Sequence, residues 1–131
     1  MKKVFFTIII MLFAWALCAA PAWSDLEAFS HYNGVKEAAK KYVSVGQFSD
    51  AANEYVMAGK IAEKYATKEI AAWQYTNAGI SAMKQYYKNL NIDNVAAAMT
   101  FLRYALELNP KNEVAERNMA KCELLLKLSK E

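Results

Sequence analysis

After Asp25 the apolar residues return every three or four positions, as in Val35, Ala38, Ala39 and Tyr42 and again in Ala115, Met119, Cys122 and Leu126. That spacing puts them on one face of a helix. Alanine, Lys, Glu, Met and Leu fill this part of the chain, and no Val/Ile/Thr-rich alternating run bounded by turn residues interrupts them. With only 4 Gly and 2 Pro in 131 residues, little breaks regular structure. The pattern predicts an all-α fold of five helices, near 25–45, 48–66, 68–87, 94–108 and 112–129, with Asn33-Gly34 a point where the first can break. Ser24 with Glu27 fits a capping box, Ser49 or Asp50 can cap the second helix, and Asn112 can cap the last.

The segment 1–24 follows other rules. Lys2 and Lys3 precede an apolar run from Val4 to Ala20 that carries no charge, and small residues at Ala20 and Ala22 close it. This is the layout of an export signal, with cleavage before Trp23 or before Asp25, and it implies a periplasmic or secreted protein. The alternative is an uncleaved anchor, for which the run from Val4 to Ala20 is short. Cys18 is a poor lipidation site because Leu17 precedes it where a small residue is needed. The domain expected to remain, 25–131, is large enough for one modest core.

Within that domain two quartets share one spacing: Val35, Ala38, Ala39, Tyr42 and then Tyr75, Ala78, Gly79, Ala82. A weaker copy follows at nearly the same offset, at Glu116, Met119, Ala120 and Glu123. A second pattern, Ala51, Tyr55, Ala58, repeats as Ala98, Leu102, Ala105, and the phrase from Ala105 to Pro110 reads A-L-E-L-N-P. These resemble the two helices of the tetratricopeptide repeat, W-x2-L-G-x2-Y and A-x3-F-x2-A, with Pro110 where that repeat carries its proline. Small residues at Ala39, Gly79 and Ala120 are expected to let neighbouring helices close in, with Tyr42, Tyr55 and Leu102 filling the gaps. Gly46-Gln47-Phe48 resembles the turn between the paired helices. The family repeat is about 34 residues, so the longer offsets here imply an insertion at the junction after Ala58, absorbed by longer helices, and a longer loop around Lys88–Asn94.

The resemblance, which spans Tyr32 to Lys127, implies a short α-solenoid of two and a half repeats whose groove is lined by the first helix of each. Groove positions would be Lys36, Lys40 and Val43, then Thr76, Ile80 and Met83 flanked by Trp73 and Asn77, then Arg117, Lys121 and Leu124 beside Asn118. Some members of the family hold a peptide's terminal carboxylate on these helices, but Lys40 stands where an Asn is expected, so that clamp is not carried over. The implied partner-binding set is Lys36, Lys40, Asn77, Arg117 and Lys121, with Trp73 as the apolar anchor and an acidic peptide or protein segment as partner.

Charge supports no other class. Of 16 basic residues two lie in the leader, which holds none of the 13 acidic ones, so the remaining domain is almost neutral and nucleic acid is not an expected partner. His31, alone, has no Cys or second His to complete a metal site, and no nucleophile-base arrangement or phosphate-binding glycine loop is present. The expectation is no enzyme, no cofactor and no metal. Cys122 reads as a buried thiol, and Trp73, Tyr75, Tyr86 and Tyr87 as core aromatics. Leu124, Leu125, Leu126 and Leu128 exceed what one helix face can bury, which points to self-association or partner docking at the C-terminal helix. A structural subunit that packs through helix faces is the alternative function.

Overall fold

The structure, a computed structural model, describes residues 23–131; the expected leader up to Ala22 lies outside them. Five helices follow one another: α1 (Leu26–Ser44), α2 (Phe48–Tyr65), α3 (Lys68–Asn89), α4 (Asp93–Leu108) and α5 (Glu113–Ser129). There is no strand among the described residues. No helix among them is long and apolar enough to cross a membrane.

Each connection is too short to let the chain travel, so consecutive helices lie side by side and run antiparallel. The sharpest turn follows α1. Gly46 takes φ of 75°, its N–H reaches the Val43 carbonyl at 3.1 Å, and the Gln47 N–H reaches Tyr42 at 2.9 Å. This is the paired-bond ending that glycine makes at low cost in the left-handed region. Lys88 Nζ also donates to the Gly46 carbonyl at 2.8 Å, tying the turn to the end of α3.

Caps explain most of the helix starts. Asp25 accepts from the Glu27 and Ala28 N–H groups and opens α1, so the expected box with Ser24 does not form. Ser24 turns instead to the Tyr65 carbonyl, which accepts from its N–H at 2.9 Å and its hydroxyl at 3.2 Å. Thr67 caps α3 and Asn112 caps α5. Helix α2 starts at Phe48 with Gln47 as its cap and no side-chain bond, leaving Ser49 and Asp50 inside the helix. Helix α1 runs unbroken through Asn33-Gly34, because an exposed glycine costs only about 1 kcal/mol in a helix that Tyr32 and Ala39 anchor on either side. The stretch at Lys88–Asn94 is no long loop: α3 continues to Asn89, Leu90 ends it at φ of 59°, and α4 starts at Asp93.

The core sits on both sides of α3, which packs on α2 and α4, while α1 and α5 lie outside this triplet. Glycines set the approach. A Cβ at Gly59 would stand 2.8 Å from the Tyr75 ring, and one at Gly79 would stand 2.6 Å from Leu102 Cγ and 3.3 Å from the Ala98 carbonyl. Ala39, Ala58, Ala78, Ala98 and Ala105 are fully buried at the same contacts. Ala120, expected among these small contacts, is exposed, because α5 turns Ala115 and Cys122 inward instead.

Long-range hydrogen bonds fix the stacking. Gln74 Nε2 donates to the Tyr32 hydroxyl at 2.6 Å, joining α3 to α1 across 42 residues. Asn112 Nδ2 donates to Thr76 Oγ1 at 3.0 Å, a buried bond that joins the start of α5 to α3.

The glycines give a paired prediction. Nothing lies within 4 Å of a Cβ at Gly34, so Gly34→Ala is expected to raise stability by about 1 kcal/mol through helix propensity alone. At Gly79 overpacking of about 1–3 kcal/mol opposes the same gain of about 1 kcal/mol, and Gly79→Ala is expected to lose up to about 2 kcal/mol net. Urea denaturation midpoints of the two variants check both signs.

Candidate functional site

The candidate residues lie on two surfaces, on opposite sides of α3. The first is formed by outward positions of α1, α3 and α5. Between Ala71 and Met83 helix α3 is buried nearly all round, and the positions it leaves open form one stripe: Trp73 exposed, Asn77 and Ile80 half-buried, continuing to the exposed Lys84. Trp73 keeps 47% of its surface. An exposed indole on an otherwise sealed helix is unusual, since its large apolar area is normally covered. Lys36 Nζ lies 5.2 Å from the Tyr32 ring centroid, the Tyr32 hydroxyl accepts from Gln74, and Gln74 Oε1 accepts from Asn77 Nδ2 at 3.4 Å. Lys36 and Asn77 are thereby linked through side chains from two helices.

The other expected residues are less closely joined. Lys40 pairs with Glu37 at 3.3 Å on an exposed face, so its charge is partly offset where it stands. Arg117 and Lys121 are exposed one turn apart on α5, with no hydrogen bond or ion pair to the other four among the described residues. One neighbouring expectation fails. Of the α3 groove positions Ile80 lies on the open stripe, but Thr76 and Met83 are buried and line no groove, Thr76 beneath Asn112. Asn118 is half-buried and donates from Nδ2 to the Val114 carbonyl of its own helix.

The aromatics expected in the core divide. Tyr75 is buried and Tyr86 half-buried, whereas Trp73 and Tyr87 face outward. His31 is exposed, on the wall of a small cleft with Asp25 and Tyr65. Cys122 is fully buried, and that burial pushes its thiol up to about 11, which keeps it protonated at neutral pH.

The second surface has no counterpart among the residues expected from sequence. A cleft of about 680 Å³ opens between α2 and α4, floored by Val56, Phe101 and Tyr75. Its rim carries Lys60 and Lys64 from α2 and Arg103 and Glu107 from α4. Tyr75 and Tyr104 meet edge to face with ring centroids 4.6 Å apart. The Tyr104 hydroxyl is 2.9 Å from each Glu63 oxygen, and the Tyr75 hydroxyl donates to Oε1 at 3.4 Å. The sequence signal for this site is faint: Tyr75 and Tyr104 lie on different helices, and only the antiparallel return of α4 beside α3 brings them together.

Both phenols hold their protons more tightly than an ordinary tyrosine. For Tyr75 burial is the main cause, followed by the nearby Glu63 charge; for Tyr104 it is the hydrogen bond to Glu63. Among the described residues no group of three His, Cys, Asp or Glu side chains could hold a metal ion.

The chain matches no protein-family model, no curated protein and no solved structure. The fold alone defines its class: an all-α protein, with five helices packed against their neighbours among the described residues.

The tyrosine pair makes stability depend on alkaline pH. In the unfolded chain each phenol ionises near the ordinary value of 10.0, whereas in the folded protein both ionise at higher pH. The stabilisation is complete below that value and is lost as pH rises through the folded values. Glu63→Gln removes the charge that raises both, so the variant is expected to lose less stability above pH 10 and to ionise these phenols earlier, as read by ultraviolet titration.

Proposed function

We propose that this chain is a non-catalytic protein-binding module of tetratricopeptide type, holding a peptide or protein segment against α1, α3 and α5. The carrying observation is the stripe on α3: a helix sealed on its other sides leaves Trp73, Asn77 and Ile80 open, beside Lys36 on one flank. Trp73 would insert as the apolar anchor, in the manner of a binding hot spot. Lys36, Arg117 and Lys121 favour an acidic segment, with Lys40 contributing less because Glu37 already faces it.

A second reading rests on α5. Leu124 and Leu128 are 57% and 53% exposed, while Leu125 and Leu126 pack against the core. Under that reading the chain is a structural subunit that joins copies or a larger complex through this helix.

One experiment separates the two. A photo-crosslinking amino acid is placed at position 73 in one version and at position 124 in another, and crosslinks are formed in the source cells. Under the first reading position 73 captures a distinct protein, and Arg117→Glu with Lys121→Glu removes the product. Homodimer from position 124, with nothing from position 73, establishes the second reading and rejects the first.

We also propose that the module acts after export. Trp23 lies 5.1 Å from Phe29 and 4.6 Å from Tyr32 between ring centroids, and Ser24 is bonded to Tyr65, so processing before Trp23 keeps contacts that processing before Asp25 would remove. Intact mass of the exported protein is expected to correspond to a chain starting at Trp23. A start at Asp25 rejects the Trp23 site but not export, whereas a mass that retains Met1 rejects both.

A further inference from the structure

The cleft between α2 and α4 belongs to neither reading above. It faces away from Trp73, since Tyr75 on its floor sits two residues along α3, about 200° around the helix axis. We propose that it binds a small amphiphilic carboxylate, with the hydrocarbon body on Val56, Tyr75 and Phe101 and the carboxylate at the rim cations.

Size and shape limit the occupant. About 680 Å³ falls within the range of small-ligand pockets, about 300–1,000 Å³. Its lining runs from Val56 to Lys64 on α2 and from Thr100 to Glu107 on α4. Each stretch is about two turns, or ~12 Å, a length that a medium-chain fatty acid spans and a longer peptide segment overruns.

Charge chooses the sign of the head group. Lys60, Lys64 and Arg103 have no carboxylate within ion-pair distance, since Lys40 with Glu37 forms the one ion pair among the described residues. Two acids share the lining with these three cations: Glu107 on the α4 rim, and Glu63, which the Tyr104 and Tyr75 hydroxyls engage. The Lys64 ammonium lies 5.1 Å from the Tyr65 ring centroid, so Lys60 and Arg103 are the cations left to an incoming anion; the lining keeps one excess positive charge, and the apolar floor rewards a hydrocarbon body.

The test uses the processed protein and decanoate, kept below its micelle-forming concentration, with backbone amide shifts followed by NMR. Saturable shifts are expected at Val56–Lys64 and Thr100–Glu107. Lys60→Glu with Arg103→Glu, both at exposed positions, is expected to weaken binding at least about tenfold, with the spectrum itself showing that the fold is kept. Lys121→Glu, on the other face, is expected to bind as the parent does. Decyltrimethylammonium, with the same tail and the opposite charge, is expected to bind at least about tenfold more weakly. The proposal is overturned by shifts that do not saturate, by shifts centred on the α5 leucines, by equal binding of the two amphiphiles, or by decanoate binding that ignores the double charge reversal. None of these outcomes alters crosslinking from position 73, so the two proposals fail separately.

Discussion

The structure depends on how closely α3 can approach α2 and α4. At Gly59 and Gly79 the space that a β-carbon would fill is taken by the Tyr75 ring and the Leu102 side chain. Dispersion contacts fall away within fractions of an ångström, so a glycine at each crossing lets a large side chain from the next helix lie against bare backbone. The buried alanines continue this around the triplet. The domain is too small to assemble a wide core of large side chains, and instead it gains packing by bringing backbones together. The cost is tolerance: these contacts have no room to relax around a larger residue.

Side chains also tie alternate helices. Gln74 meets Tyr32 and Lys88 meets Gly46, each across 42 residues, and Tyr104 meets Glu63 across 41. Two of these contacts join α1 and its closing turn to α3 and one joins α2 to α4, while the backbone packing itself runs mainly between consecutive helices.

Helix number and most helix ends are legible in the sequence because they rest on local chemistry, as at Gly46 after α1 and Asn112 before α5. Where local signals compete, tertiary contacts decide. Ser24 could cap α1, but the Tyr65 carbonyl takes its hydroxyl and Asp25 caps in its place. The polar run after Lys88 looks like loop, yet α3 keeps its helix to Asn89. Of the α3 surface residues, Trp73, Asn77 and Ile80 lie open while Thr76 and Met83 do not, and for Thr76 the reason is its covering by Asn112, a contact between helices that spacing does not reveal. The α2–α4 cleft is not legible at all, since spacing along a helix reveals which residues share its face but not which two faces leave a gap.

Asn112 has a wider effect than its place at a helix start indicates. One amide oxygen holds the Ala115 N–H at 3.1 Å while the amide nitrogen holds Thr76 at 3.0 Å, so the first turn of α5 and the middle of α3 share a single side chain. Beyond this latch α5 rests mainly on α4, with fewer ties to α3. Of the two outer helices α5 has the lighter hold on the triplet, so local opening is expected to begin at the C-terminal end. Cys122, on the inward face of α5 and fully buried there, would then meet water when α5 lifts, so the reactivity of its thiol is expected to report on the latch.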